Sequence, residues 1–388
     1  MRPLSWEISG AKGALAWPIA SIETYLRDVR SIIPGESIGK ANGPGEQIPG
    51  KSGLLETPEE LSLASTGKIN SMDIRRISRG LMAGVLLTSP VVGQESFFIV
   101  EAHSGRIVGR QAEDKRRPVA SLTKVAMAMV VLDWAEVTKR ELTQEAVVPT
   151  SAAYLGGANP MGLRPGDRLT LRNALYSALM GSDNVAAQTL AHHVGWSMQE
   201  LRGETGDPVR TFVREMNHLA AGLGMRRTRF ANAHGMDNSR EKGVSTAEDI
   251  ARLCIYASRD PGFRFYVKQS TRRISFIRGQ RTISFVVKNT NQLLGTMDIN
   301  GIKTGMTALA GQCLVVSSER SNLVNKRPDG SAQLTPRRLI VVVLGSPDRF
   351  RQTRALVTQG WSNWDRWQAA GRPVVNARDE LLQVPNPR

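Results

Sequence analysis

Two strand signals lie far apart in this chain, and any fold it adopts must account for both. FFIVEAHSGRIVGRQ, near residue 100, alternates apolar and polar residues on either side of His103-Ser104-Gly105, which predicts a β-hairpin turning at Ser104 and Gly105. Far downstream, GQCLVVSS and RLIVVVLG are apolar runs of strand length. Between them, helical patterns cover residues 122–135, 171–180, 184–194, 209–222 and 246–258. For the last of these Ser245 is a candidate cap, and Glu248 and Asp249 suit its first turn. ISFI and ISFVV flank Arg278-Gly279-Gln280-Arg281 as a second hairpin, and residues 350–367 close as a helix. A hairpin, several helices, consecutive strands and a last helix argue for an α+β fold, an antiparallel sheet covered by helices with a helical insertion in the middle.

Composition narrows the functional classes. With 388 residues, of which 41% are hydrophobic, the chain can bury a substantial core. The formal net charge of +16 is unevenly spread: residues 1–71 carry seven Lys/Arg against eight Asp/Glu, so the remainder holds +17. Such a basic body accumulates near polyanions, whether nucleic acid, anionic lipid or an anionic cell wall. Aromatic residues make up only 5% and do not alternate with basic ones, so stacking on nucleic acid has little support and no nucleic-acid partner is expected. Two cysteines, Cys254 in ARLCIYA and Cys313 in GQCLVV, sit in apolar runs and read as small core residues. His192 and His193 are adjacent and would diverge on a helix, so neither a metal nor a cofactor is expected.

The amino-terminal quarter has a different character. Residues 35–71 are rich in Gly, Pro and Ser and fit neither helix nor strand period. Then MDIRRISRGLMAGVLLTSPVVGQ joins a basic stretch (Arg75, Arg76, Arg79) to an apolar segment over 81–92 and a small-residue ending, the pattern of a secretory signal peptide starting at Met72. It is too short for a comfortable membrane span. Residues 1–71 then read as an upstream extension outside the mature protein, 72–93 as the signal peptide, 94–370 as the folded domain and 371–388 as a tail.

Three short motifs carry chemistry. Ser-x-x-Lys occurs at Ser37, Ser65, Ser121 and Ser239, but only Ser121 opens a clear amphipathic helix, ASLTKVAMAMVVLDWA. The i, i+3 spacing there puts Ser121 and Lys124 on one face, although a helix cap is the commoner role of such a serine. Ser182-Asp183-Asn184 occurs once, between two helical patterns, where a cap is again the simplest role. Lys303-Thr304-Gly305 also occurs once, just ahead of the strand holding Cys313, and a turn entering that strand would explain it alone. Serine is a poor nucleophile without an adjacent base, and Lys124 is the nearest candidate for Ser121. A lysine serves as base only with a lowered pKa, which burial and a second cation, Lys303, would provide. Ser182 can relay a proton to a leaving amine, the Asn184 amide can hold a substrate carbonyl, and Lys303 and Thr304 suit a substrate carboxylate.

S-x-x-K, S-D-N and K-T-G in this order form the signature of class A β-lactamases and penicillin-binding proteins. GIKTGMTALAGQCLVV, LMGSDNVAA, LGMRRTRFANAHGMD and STAEDIARL further resemble the D-alanyl-D-alanine carboxypeptidase and endopeptidase family, the low-molecular-mass penicillin-binding proteins, over roughly residues 97–367. That resemblance implies a β-lactamase/transpeptidase-like fold with a five-stranded antiparallel sheet flanked by helices, and a helical subdomain with the site between the two. It implies hydrolysis of D-alanyl bonds in peptidoglycan stem peptides through an acyl-enzyme on Ser121, and covalent inhibition by β-lactam antibiotics. It also implies an oxyanion hole from the backbone N–H groups of Ser121 and Met306, a substrate-binding strand at Lys303, Thr304 and Gly305, and an arginine for the terminal carboxylate. Arg349 resembles that arginine, with Arg351 close by in sequence.

Many such carboxypeptidases carry a second β-rich domain and an amphipathic anchor, for which the residues after Trp367 leave no room. A periplasmic or wall-associated enzyme without a stable membrane span is therefore expected, nearer in layout to the endopeptidases. Two rivals stand beside this reading. A class A β-lactamase needs a deacylating glutamate, and Glu215-Met216-Asn217 is a poor match for it. A non-catalytic wall-binding module would usually have lost the serine or the lysine, and both are present.

Overall fold

A computed structural model describes residues 95–237, 242–327 and 329–386. The upstream extension, the signal-like segment, Ser37, Ser65 and Ser239 lie outside the described residues. Strands β1 (Ser96–Glu101) and β2 (Ile107–Gln111) form the expected hairpin, with Gly105 at φ +73° in its turn. They join β7 (Ile299–Thr307), β8 (Gly311–Lys326) and β9 (Ala332–Ser346) in a five-stranded antiparallel sheet of order β2-β1-β9-β8-β7. Both chain-distant strand signals thus meet in one sheet, with β1 paired along β9.

The continuous apolar run LIVVVL in β9 follows from burial on both faces. Ile340, Val342 and Leu344 join a core that includes the central helix α1 (Thr123–Thr138). Leu339, Val341 and Val343 point the other way, against Trp361 and Trp364 of a helix over Arg349–Ala369. The central helix was expected to be amphipathic, but Val125 through Met129 are fully buried, so it is apolar around most of its circumference. Around it stand α2 (Leu171–Met180), α3 (Asn184–Arg202), α4 (Pro208–Gly222), α5 (Ala247–Arg259) and a short α6 (Pro261–Val267). The closing helix over Arg349–Ala369 is α7, and a last turn, α8, spans Ala377–Glu380.

Several details differ from the sequence reading. The hairpin β5 (Thr271–Arg278) and β6 (Arg281–Lys288) stays out of the main sheet and builds a second one, β3-β4-β5-β6, with β3 (Glu145–Val147) and β4 (Arg168–Thr170). Lys303-Thr304-Gly305 is no turn: it lies inside β7, the edge strand of the main sheet. Thr246, not Ser245, caps α5 by accepting from Asp249 N at 3.1 Å, while the Ser245 hydroxyl shares a 2.7 Å hydrogen bond with Thr228.

The segment after α7 has no apolar period, yet it packs back on the domain. Leu382 N donates to Gly105 O at 2.8 Å, Glu380 pairs with Arg106, and Arg252 donates to Gln383 O at 2.7 Å. The Leu382 side chain is 5% exposed within the main core. Truncating it to alanine removes buried methyl groups and is expected to cost about 2–3 kcal/mol. Urea unfolding of Leu382→Ala checks this, and an unchanged midpoint would show that the segment contributes nothing to the fold.

Candidate active site

Ser121 stands in a 3-10 turn, Ala120–Leu122, that feeds directly into α1. One turn later, buried Lys124 reaches back, its Nζ donating to Ser121 Oγ at 2.9 Å, Asn184 Oδ1 at 2.7 Å and His234 O at 2.7 Å. Three acceptors match the three protons of an ammonium. A neutral amine would keep the Asn184 and His234 bonds and turn its lone pair to the serine hydroxyl.

The surroundings fix this arrangement. Ala120 holds the left-handed conformation at φ +49°, and Gly235, at φ +82°, packs so tightly that a Cβ there would lie 2.0 Å from Ala120 O. Asn232 Oδ1 accepts from His234 N and Gly235 N, aiming the His234 carbonyl at the lysine. Asp183 caps α3 by accepting from Ala186 N at 3.0 Å and takes a second bond from Ser177 Oγ at 2.9 Å. The cap expected of Ser182-Asp183-Asn184 is therefore real and belongs to Asp183, which leaves its two neighbours facing the cleft. Ser182 sits at φ +61°, and Asn184 Nδ2 donates to Gly156 O at 2.9 Å, with one further proton to give.

The opposite wall is β7. A Cβ on Gly305 would come within 3.0 Å of Ser121 N and 3.1 Å of Ala120 Cβ, so only glycine lets the strand pass this close to the serine. Lys303 is buried and donates to Thr304 O at 3.0 Å. Thr304 Oγ1 and Thr290 Oγ1 lie 2.6 Å apart, and Met306 opens onto the cleft. Arg349, the first residue of α7, donates to Gly305 O at 2.8 Å and lines the cleft, whereas Arg351 points to solvent. The structure thus brings Ser121, Ser182, Asn184, Thr304, Gly305, Met306 and Arg349 around one cleft of about 440 Å³, with Lys124 and Lys303 buried behind its walls. Glu215 is elsewhere, paired with Arg202 at 2.9 Å. Among the described residues no group of three or more His, Cys, Asp or Glu could hold a metal, and no helix is long and apolar enough to cross a membrane.

Electrostatics separates the two lysines. Burial brings Lys124 down to about 7, with nearby Asp183 opposing the shift. Lys303 lies well below the usual lysine range, first through burial and then through repulsion by Lys124 and Arg349. Burial and Lys303 together were expected to depress Lys124; burial is the leading cause for both amines, and each disfavours the charge on the other. The His234 ring, brought to about 3 by burial and by Lys124, is neutral and accepts from Met236 N at its Nδ1. Sequence reasoning assigned no role to His234 or Thr290. His234 acts through its carbonyl, and its signal was its place in LGMRRTRFANAHGMD, one of the segments that resemble the family.

The D-alanyl-D-alanine carboxypeptidase family matches residues 86–326. The D-alanyl-D-alanine endopeptidase of Escherichia coli is 29% identical over 248 residues, covering 63% of this chain and 72% of that protein. Its Pseudomonas aeruginosa counterpart is 30% identical over 237 residues, covering 60% and 68%. Among solved structures, ampicillin-bound penicillin-binding protein D2 of Listeria monocytogenes superposes with a TM-score of 0.55 at 25% identity, over 69% of this chain and 96% of that one. A mutant of the Streptomyces K15 DD-transpeptidase gives 0.58 at 25% identity, over 69% and 97%. The fold is that of the penicillin-binding DD-peptidases. Within that class, this chain belongs to the D-alanyl-D-alanine carboxypeptidase family.

The lysine's shift makes stability depend on pH. Below about 7 Lys124 is charged whether folded or not, and the cost of burying that charge is felt in full. Between about 7 and 10.5 only the unfolded chain holds the proton, so the stability this group contributes rises with pH across that window and is lost as pH falls from 10.5 to about 7. Lys124→Met should therefore gain on the parent in urea titrations as pH is lowered across that range. A gap independent of pH would contradict the burial assigned to Lys124.

Proposed function

We propose that this chain is a serine peptidase that hydrolyses D-alanyl bonds of peptidoglycan stem peptides through an acyl-enzyme on Ser121, and that β-lactams acylate the same oxygen. The observation that carries the proposal is the 2.9 Å contact between Ser121 Oγ and a lysine whose pKa is about 7, at the floor of an open cleft. Near neutral pH a substantial fraction of Lys124 is unprotonated and can accept the serine proton. Ser121 Oγ then attacks the D-alanyl carbonyl carbon, and the oxyanion is held by the backbone N–H groups of Ser121 and Met306. Removing one such donor typically lowers kcat by about 10²–10³.

As the C–N bond breaks, the leaving amine needs a proton, which Ser182 can pass on from Lys124. Asn184 steadies a backbone carbonyl of the substrate with its remaining amide proton. Lys303, Thr304 and Arg349 receive the carboxylate of the leaving residue. A carboxylate placed there favours the ammonium form of Lys303, which is disfavoured while the cleft is empty. Water then takes the place of the leaving amine, with Lys124 again accepting a proton, and frees Ser121.

Carboxypeptidase and endopeptidase action share these steps and differ only in what the leaving amine carries. Masses of the products from pentapeptide and from cross-linked dimer muropeptides distinguish them. Stem peptides lie outside the cytoplasmic membrane, so the same reading makes this an exported, periplasmic or wall-associated enzyme, for which the signal-like residues 72–93 supply the route.

The test is labelling with a fluorescent penicillin. Ser121→Ala should abolish it, because no oxygen remains to carry the acyl group. Lys124→Ala should slow it severely while leaving the fold intact, and Lys303→Ala should weaken it through lost attraction for the carboxylate. Ser37, Ser65 and Ser239 share the Ser-x-x-Lys spacing without its context and serve as controls. Persistent labelling of Ser121→Ala, or loss of labelling in a control, would overturn the assignment.

A further inference from the structure

The charge of +17 carried beyond residue 71 has no role in the steps above. It is unevenly laid out: residues 261–297 hold seven Lys/Arg and no Asp/Glu. That stretch includes α6 and the β5-β6 hairpin. Arg278 pairs with Asp167 at 2.7 Å, and Arg264 donates to Ser258 O at 2.6 Å. Lys268, Arg272, Arg273, Arg281 and Lys288 are exposed and have no ion pair among the described residues.

The strand register gives these cations a direction. Ile274, Phe276 and Val287 are buried on the inner face of the hairpin. The alternate pairs, Thr271 with Lys288, Arg273 with Val286 and Ser275 with Ser284, therefore face outward. Arg273 and Lys288 are diagonal neighbours there, about 7–8 Å apart. Val286 is the only apolar residue among the exposed positions of that face, and the others are cations and hydroxyls. Among the described residues no strand pairs with the outer side of β6, the last strand of its sheet. Cations on an edge strand also deter pairing with other chains, but that role does not call for an acid-free α6 beside them.

The basic face begins at the cleft. Thr290 lines the cleft two residues beyond Lys288, and a Cβ on Gly181, next to Ser182, would lie 2.9 Å from Val287 Cγ2. From Lys288 the strand runs back to Arg281, about 23 Å away at roughly 3.3 Å per residue. On the proposed function the substrate is part of a polymer with many stem peptides ending in carboxylates, of which one enters the cleft while the rest stay outside.

We infer that the outer face of the β5-β6 hairpin is a second, non-catalytic binding surface for polymeric peptidoglycan. Its cations meet stem-peptide carboxylates, and its Ser and Thr hydroxyls meet sugar hydroxyls and amides. The inference rests on the proposed function for the identity of the polymer and adds a site outside the cleft. A membrane surface fits less well, because docking into a headgroup layer takes a broad apolar face and here Val286 stands alone.

The test is sedimentation of the protein with purified sacculi after it has been blocked with a fluorescent penicillin. The adduct closes the cleft and marks folded molecules, and the pellet is measured both by label and by total protein. The parent should pellet, and less so as added salt screens the charges. The triple substitution Arg273→Gln, Arg281→Gln and Lys288→Gln should weaken binding by about tenfold, the low end of what a charged surface contributes. It should keep the parental kcat/KM on soluble Nα,Nε-diacetyl-Lys-D-Ala-D-Ala, and replacing the two arginines by lysine should retain binding. A triple variant that pellets like the parent, or one that loses activity on the soluble peptide to the same extent, overturns the inference. So does a parent that pellets with vesicles of phosphatidylglycerol and phosphatidylcholine but not with sacculi. A parent that pellets with sacculi through these charges yet takes no penicillin supports the surface and overturns the proposed function.

Discussion

The buried amine of Lys124 is the junction on which the site depends. Its three hydrogen bonds run to separate parts of the chain: the turn that precedes its own helix, the start of α3, and the loop that carries His234. Burying an ammonium is costly unless its protons are taken up, and here every one has an acceptor. Displacing any of these segments would leave a buried charge without a partner, so the segments are held in mutual register. The left-handed Ala120, the close-packed Gly235 and the doubly bonded Asp183 are backbone and side-chain accommodations to that register.

The same burial sets the chemistry. A lysine at its ordinary pKa would hold its proton at neutral pH and be useless as a base, whereas burial against weak opposition from Asp183 brings Lys124 to about 7. Lys303 and Arg349 add two more cationic groups along β7, each shifted downward by burial. A wall of this kind is electrostatically incomplete until an anion arrives. On the proposed function the substrate carboxylate completes it, so recognition of a chain terminus and relief of repulsion among the amines are one event.

Local periodicity was enough to place most of the elements. The helical pattern at 171–180 coincides with Leu171–Met180, and the pattern at 209–222 starts one residue late because Pro208 opens α4 behind the Asp207 cap. What periodicity could not convey was pairing at a distance. The β5-β6 hairpin has the same local pattern whichever sheet it joins, and only the fold sends it to β4. Lys303-Thr304-Gly305 resembles a turn by composition, yet Lys303 is a buried strand residue, and only its place behind the cleft explains a lysine there. The three motifs did identify side chains that gather at one cleft. The His234 contribution was hidden because it comes from a carbonyl, which every residue has.

The most direct test of the central claim is the pH dependence of acylation, measured as the second-order rate of Ser121 modification by benzylpenicillin. If a buried Lys124 must lose its proton to activate the serine, the rate should rise through an inflection near pH 7 and level off above it. A rate that stays flat as pH falls well below 7, or one that keeps climbing toward the ordinary lysine value of 10.5, would contradict the account.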